Sequence, residues 1–254
     1  MVGCVQVKLS IIVPTLNEAK GIQPFLRALQ PLRHRGHEVI LIDGGSQDKT
    51  VDYARSIVDC LTSCAPGRAI QMQYGAELAT GDVLLFLHAD TVLPDLADEL
   101  IKQAFSCSKN DWGRFDVRLS GQHWLLHCIA FMMNKRSQLT GIATGDQAIF
   151  VRRDFFETIG GFLAIPLMED IDLCSRLRQQ SKPVCIHSPV TTSSRRWEQN
   201  GIFRTVLLMW WIRCCFYFGV APEKLWRKYY IRDSHDIKIS DYSTKNNISH
   251  NNEH

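Results

Sequence analysis

Three apolar runs constrain this chain more than any other feature: LSIIVP (9–14), HEVILID (37–43) and VLLFLHAD (83–90). Each sets bulky residues in succession without polar alternation, the pattern of a strand covered on both faces. Helix-like stretches separate them. AKGIQPFLRALQPL follows the first run, and GGSQDKTVDYARSIVDCL, with Ser46 or Asp48 as N-cap, follows the second. GRAIQMQYGAELA precedes the third run, and PDLADELIKQAF follows it with Pro94 expected in the first turn. Alternating strand and helix predicts an α/β fold: a mainly parallel central sheet flanked by helices.

The second half is less regular. WGRFDVRL (112–119) and QAIFVRR (147–153) are expected as strands, HWLLHCIAFMMNKRSQ and MEDIDLCSRLRQQ (168–180) as helices. TVLLMWWIRCCFYFGVA (205–221) predicts an apolar C-terminal helix, interrupted by Arg213 alone. Basic residues flank it: Arg195, Arg196 and Arg204 before, Lys224, Arg227 and Lys228 after. It is shorter than the roughly 20 clean residues of a spanning helix. Three arrangements stay open: a cover for the sheet or a dimer interface, a seat on an anionic membrane surface, or a crossing of the membrane. Residues 231–254 are polar and aperiodic, as a disordered tail is. No repeat or linker divides residues 1–230, so one domain is expected.

Composition excludes little. A net charge of +3 over 254 residues gives no support for nucleic acid as a partner. With no basic-then-apolar leader, the nine cysteines are expected as reduced core thiols in a cytoplasmic protein. Cys60 and Cys64 fit one helix face, but no neighbouring His or Cys completes a zinc site.

Polar residues mark the ends of the apolar runs. Asp43 ends the second, Asp90 follows the third, and Glu169–Asp170 opens a later helix. In parallel sheets ligands sit at the carboxyl ends of strands, and clustered carboxylates beside a core call for a cation or a bound ligand. Taken singly, Asp43 also fits a turn before Gly44–Gly45, and Asp90 a helix cap. VPTLNEAKG stands where a G-x-G-x-x-G would follow the first strand, which argues against a nicotinamide-dependent oxidoreductase. A non-catalytic ligand sensor or membrane-bound scaffold is the alternative to an enzyme.

SIIVPTLNEAKGI, EVILIDGGSQDKT, GRAIQMQYGAELATGDVLLFLHADT, GDQAIFVRRDFFETIGGF and LMEDIDLCSRLR together resemble family 2 glycosyltransferases of the GT-A fold. GRFDVRLSG and SSRRWEQNGIFRTVLL resemble a narrower radical-SAM/selenodomain-associated, arsenosugar-biosynthesis subgroup. The resemblance implies a nucleotide-binding half at about 8–110 and an acceptor half at about 111–230. It implies an inverting transfer of a sugar from a UDP- or GDP-linked donor to a hydroxyl acceptor, a small molecule or a lipid. Pro14, Asn17, Glu18, Asp43, Gly44 and Arg68 match the nucleotide pocket. HAD stands where the family has an Asp-x-Asp-like signature, so Asp90 matches the acid that binds Mg²⁺ or Mn²⁺, while His88 departs from the first acid. His88 fits either a metal ligand or a ribose contact. Asp146 matches a position near the sugars; Arg196 fits a contact to the departing diphosphate. MED resembles the family's Glu-Asp motif, giving Asp170 as general base and Glu169 as second candidate. A lipid acceptor would seat the protein at the inner face of the cell membrane.

Overall fold

The computed structural model describes residues 7–230, without the side chains of Arg196 and Tyr230, so the expected tail at 231–254 lies outside the described residues. In chain order the elements are β1 (Leu9–Thr15), α1 (Ile22–Ala28), α2 (Gln30–His34), β2 (Glu38–Asp43), α3 (Thr50–Ala54), β3 (Cys60–Ser63) and α4 (Arg68–Leu78). β4 (Val83–Phe86), β5 (Thr91–Val92), α5 (Ala97–Ser106), β6 (Trp112–Leu119) and α6 (Trp124–Thr140) follow. After a 3₁₀ turn (Gly145–Gln147) come β7 (Phe150–Arg152), α7 (Arg153–Thr158), α8 (Glu169–Gln180) and β8 (Val184–Thr192). The chain then runs into α9 (Arg195–Asn200), α10 (Ile202–Tyr217) and α11 (Pro222–Tyr230).

Eight strands form one sheet in the order β3-β2-β1-β4-β7-β6-β8-β5. The first four are parallel, with Thr15 opposite Asp43. β7 joins β4 and β6 antiparallel, β5 joins β8 antiparallel, and β6 and β8 are parallel. The sheet is therefore mixed rather than mainly parallel. Apolar runs explain the parallel half: alternate residues of β1, β2 and β4 enter different cores. Ile11, Val13, Leu41 and Leu85 pack with α1, α2 and α5 on one face. Ile12, Ile42 and Phe86 pack with α4, α7 and α8 on the other. A strand buried on both sides has no polar face to show, hence no alternation.

Several local expectations are corrected. The helix expected through Leu61 ends at Ala54, and residues 60–63 form the edge strand β3. Tertiary contacts override the helical pattern there: Asp59 accepts the Val39 N–H at 2.8 Å and a two-pronged bond from Arg33. Cys60 and Cys64 consequently share no helix face. Lys49, not Ser46 or Asp48, is the N-cap residue of α3, and Pro94 lies before α5, whose N-cap is Leu96. β8 escaped the sequence reading because Pro189 interrupts it; β6 and β8 slip register between Phe115 and Val117, where the bulge tolerates that proline. The eight cysteines among the described residues are free thiols.

Among the described residues no helix is long and apolar enough to cross a membrane, so the spanning arrangement of α10 is set aside. Nor does α10 cover the sheet. Ile212 is its only fully buried apolar residue, packed with Met168, Leu225 and Tyr229.

Candidate active site

Polar side chains gather beyond the carboxyl ends of β1, β2 and β4, where strand order reverses about β1. Pro14 and Thr15 finish β1 beside Ile42 and Asp43 of β2. Asp43, 2% exposed, accepts the N–H groups of Gly45 and Ser46, each at 2.8 Å, and the Ser46 hydroxyl. Its carboxylate thus shapes the turn, as the plainer sequence reading had it. Asn17 locks the opposing loop: in the left-handed region at φ 55°, it receives the Gln47 N–H on Oδ1 and donates its own N–H to Ser46. The Glu18 N–H is held by Thr50 at 2.8 Å. Gly44 donates to the Thr15 carbonyl, and a Cβ there would stand 3.2 Å from the Gln71 amide.

Gln71, on α4, was not anticipated. Buried, it donates to the carbonyls of Thr15 and Ile42 at 2.9 and 2.8 Å, stapling the ends of β1 and β2. No motif marks such a residue; only its helical position over two strand ends does.

Glu18, Asp146 and Glu169 lie within electrostatic reach of Arg68, the first residue of α4. Burial and then the charge of Asp90 hold the Glu18 carboxyl above its ordinary range, against the pull of Arg195 and Arg68. Asp90 is exposed at the rim. His88 Nδ1 stands 3.4 Å from Asp146 Oδ1, and its ring packs so closely on Gly145 that a Cβ there would lie 2.4 Å from Nε2. Burial works to raise the Asp146 pKa, but the bond and charge of His88, with Arg68 and Arg213, bring it below the usual range. Asp170 Oδ2 accepts the Gly145 N–H at 2.9 Å, joining the start of α8 to this loop. Glu169, 8% exposed, is pushed up to about 7 by burial and then by the Asp170 charge.

Two devices fix this loop and helix start. Gln147 donates to Ser137 Oγ at 2.9 Å, tying the 3₁₀ turn to α6. Met168, left-handed at φ 68°, turns the chain into α8 and is buried against Ile212, Leu225 and Tyr229. A bulky residue rarely adopts this conformation, and the packing of α10 and α11 holds it.

For a cation, the residues supply one exposed carboxylate, Asp90, with Glu18 as its electrostatic neighbour. No group of three His, Cys, Asp or Glu side chains among the described residues forms a ready metal cage. His88 has Asp146 as its partner at 3.4 Å. This donor set suits a hard divalent ion that takes its remaining oxygens from phosphate and water. The side chain of Arg196 lies outside the described residues; its neighbour Arg195 reaches Glu18 electrostatically. Trp197 packs with Leu119, Leu126, Ala130 and Ile202. Arg213 and Arg136 were not anticipated as site residues, yet both lie within electrostatic reach of Asp170. The lone charge in a long apolar run was the available signal for Arg213; Arg136 carried none.

A parallel β3-β2-β1-β4 half extended by antiparallel β7, with helices on both faces, places the protein in the class of GT-A-type nucleotide-sugar transferase folds. Residues 10–160 match the family described as Glycosyl transferase family 2, and the chain belongs to that family. A PGL/p-HBAD biosynthesis glycosyltransferase of Mycobacterium bovis (strain BCG / Pasteur 1173P2) is 30% identical over 211 residues, covering 78% of this chain and 80% of the relative. The S. aureus TarS 1-349 structure in complex with UDP-GlcNAc superposes with TM-score 0.57 at 18% identity, over 73% of this chain and 58% of that one. The mannosyltransferase PcManGT from Pyrobaculum calidifontis, in complex with GDP-Man and Mn²⁺, gives TM-score 0.55 at 21% identity, over 73% and 56%. The chain thus spans less than two thirds of these two structures. It is a glycosyltransferase. The comparisons support the family and not the narrower arsenosugar-biosynthesis subgroup.

Proposed function

We propose that the chain transfers a sugar from a UDP- or GDP-linked donor to a hydroxyl acceptor, with inversion at the sugar and Asp170 as general base. The observation that carries this reading is that Glu18, Asp146 and Glu169 lie within electrostatic reach of Arg68, with Asp90 acting on Glu18 and Asp170 on Glu169. The nucleotide-binding half, to about residue 110, supplies Pro14, Asn17, Glu18, Asp43, Gly44 and Arg68; the acceptor half supplies Asp146, Glu169 and Asp170. Asp90 would hold Mg²⁺ or Mn²⁺, which supplies charge neutralisation at the diphosphate. His88 orients Asp146 toward the sugar. Asp170, fixed by the Gly145 N–H, takes the proton of the acceptor hydroxyl as that oxygen attacks the anomeric carbon. Glu169, pushed up to about 7, is only partly ionised near neutral pH, which favours Asp170 as the base. The test is turnover on a panel of UDP- and GDP-sugars. Asp170→Asn is expected to keep donor binding and lose turnover, and Glu169→Gln to keep both. Undiminished turnover in Asp170→Asn overturns the assignment.

The surface of α10 and α11 supports an acceptor at a membrane. Phe203, Leu207, Trp210, Trp211, Tyr217 and Phe218 are exposed, Phe203 by 71% and Tyr217 by 86%. Arg204, Lys224, Arg227 and Lys228 accompany them, with Glu223 the one acid between residues 202 and 230. Lys228 lies over the Trp211 ring at 4.7 Å. An aromatic face with excess positive charge complements an anionic bilayer and repels a second copy of itself. Peripheral seating at the cytoplasmic leaflet is the proposal. Co-sedimentation with anionic and not with neutral vesicles supports it; a protein that pellets with neither, or that dimerises through this face in solution, overturns it.

A further inference from the structure

Three arginines keep a buried side-chain Nε without a hydrogen-bond partner among the described residues: Arg114, itself buried, and Arg136 and Arg213, both half-buried. Arg114 is compensated, since its guanidinium pairs with Asp116 and donates to the Asn134 carbonyl at 3.2 Å. Arg136 and Arg213 have only the longer-range attraction of Asp170, shared for Arg213 with Asp146. Among the described residues neither forms an ion pair within 4.0 Å, and Arg136 makes one long bond, 3.5 Å, to the Ile142 carbonyl. A buried N–H left without an acceptor is unfavourable, and each of these arginines carries one. Burial and then the Arg213 charge push Arg136 down to about 10.

The two come from different elements and converge on the same carboxylate. Arg213 follows Ile212, whose side chain packs on Met168, two residues before Asp170. Arg136 reaches the loop whose Gly145 N–H binds Asp170. Arg68 reaches Glu18, Asp146 and Glu169, and it shares Asp146 with Arg213. The Asp146–Asp170 region therefore lies between two cationic groups, one of which the donor reading leaves unused.

We infer that Arg136 and Arg213 form an anion-binding subsite on the acceptor side of Asp170, so that the acceptor carries a phosphate or carboxylate near its attacking hydroxyl. This rests on the proposed role of Asp170. Guanidinium groups grip such anions in fork geometry and would draw the hydroxyl to the base. A neutral acceptor would leave the spare guanidinium donors of both arginines unused, which makes the pair a specificity device.

The test uses the full chain loaded with UDP or GDP and Mn²⁺ and titrated calorimetrically with glycerol 3-phosphate. Binding is expected, weakened by about tenfold or more in Arg213→Gln and in Arg136→Gln with nucleotide affinity unchanged. Arg213→Lys retains the charge and is expected to keep part of the affinity, which separates charge from folding. No phosphate binding to the loaded protein, or equal binding by wild type and both glutamine variants, overturns the subsite. So does loss of nucleotide affinity in folded variants, which would assign the arginines to the donor. If neither nucleotide binds, the donor reading fails, and the same titration of the free chain still judges the arginines. Micellar phosphatidic acid provides a second arm: tighter binding than glycerol 3-phosphate places the acidic group on a lipid acceptor, weaker binding on a soluble one, and both require the arginines.

Discussion

Glutamate 169 offers the sharpest physical test. Its carboxyl is buried at the start of α8 next to the Asp170 charge and is pushed from 4.5 to about 7. Below pH 4.5 the folded and unfolded chains both hold this proton, and the group contributes nothing to pH dependence. Between 4.5 and about 7 the folded chain keeps a proton that the unfolded chain has released, so stability falls as pH rises. Above 7 the loss is complete. A shift of this size corresponds to about 3 kcal/mol. Glu169→Gln removes the titrating group at nearly constant shape. Relative to wild type it is expected to gain little at pH 4.5 and about 3 kcal/mol at pH 8. For a domain of this size that raises the melting temperature by roughly 6 to 12 °C. Urea unfolding of both proteins from pH 4.5 to 8 measures the difference directly. In an Asp170→Asn background the gain should shrink, because the second cause of the shift is gone. A stability difference that stays flat across the range would refute the placement of Glu169 as a buried acid pressed by its neighbour.

Three further outcomes follow from the packing. Asp98, fully buried, accepts two bonds from Arg35 at 2.8 Å and one from His37 Nε2 at 2.9 Å, while the Leu9 N–H donates to His37 Nδ1. The imidazole is therefore neutral with its proton on Nε2, and Asp98→Ala should cost about 3 kcal/mol in urea unfolding. Gly75→Ala should destabilise by about 1–3 kcal/mol, since its Cβ would stand 2.5 Å from Ile12 Cγ2 between α4 and β1. Gly145→Ala would drive its methyl into the His88 ring, and turnover should fall by about tenfold or more with the fold intact by circular dichroism.

The parallel half of the sheet was legible because burial on both faces writes itself as unbroken apolar runs. β3 and β8 were not: four residues held by Asp59, and a proline-bearing strand relieved by a bulge, depend on contacts distant in sequence. The mixed sheet was hidden for the same reason, since β7 reads alike in either direction. Within the site, acids at strand ends stood out by their contrast with the runs before them. The pairing of His88 with Asp146 did not, because 58 residues separate them and only the loop on Asp170 brings them together. Arg213 was visible as an isolated charge, but its meaning required α10 to expose its aromatic face and turn this residue inward.

Calorimetric titration of UDP- and GDP-sugars with Mn²⁺ probes the convergence of these acids on one donor most directly. The account expects at least one donor to bind in a metal-dependent way, Asp170→Asn to bind it equally well, and Asp90→Ala to lose the metal dependence. Metal-independent binding that Asp90→Ala leaves untouched, or no binding of any donor, would contradict it.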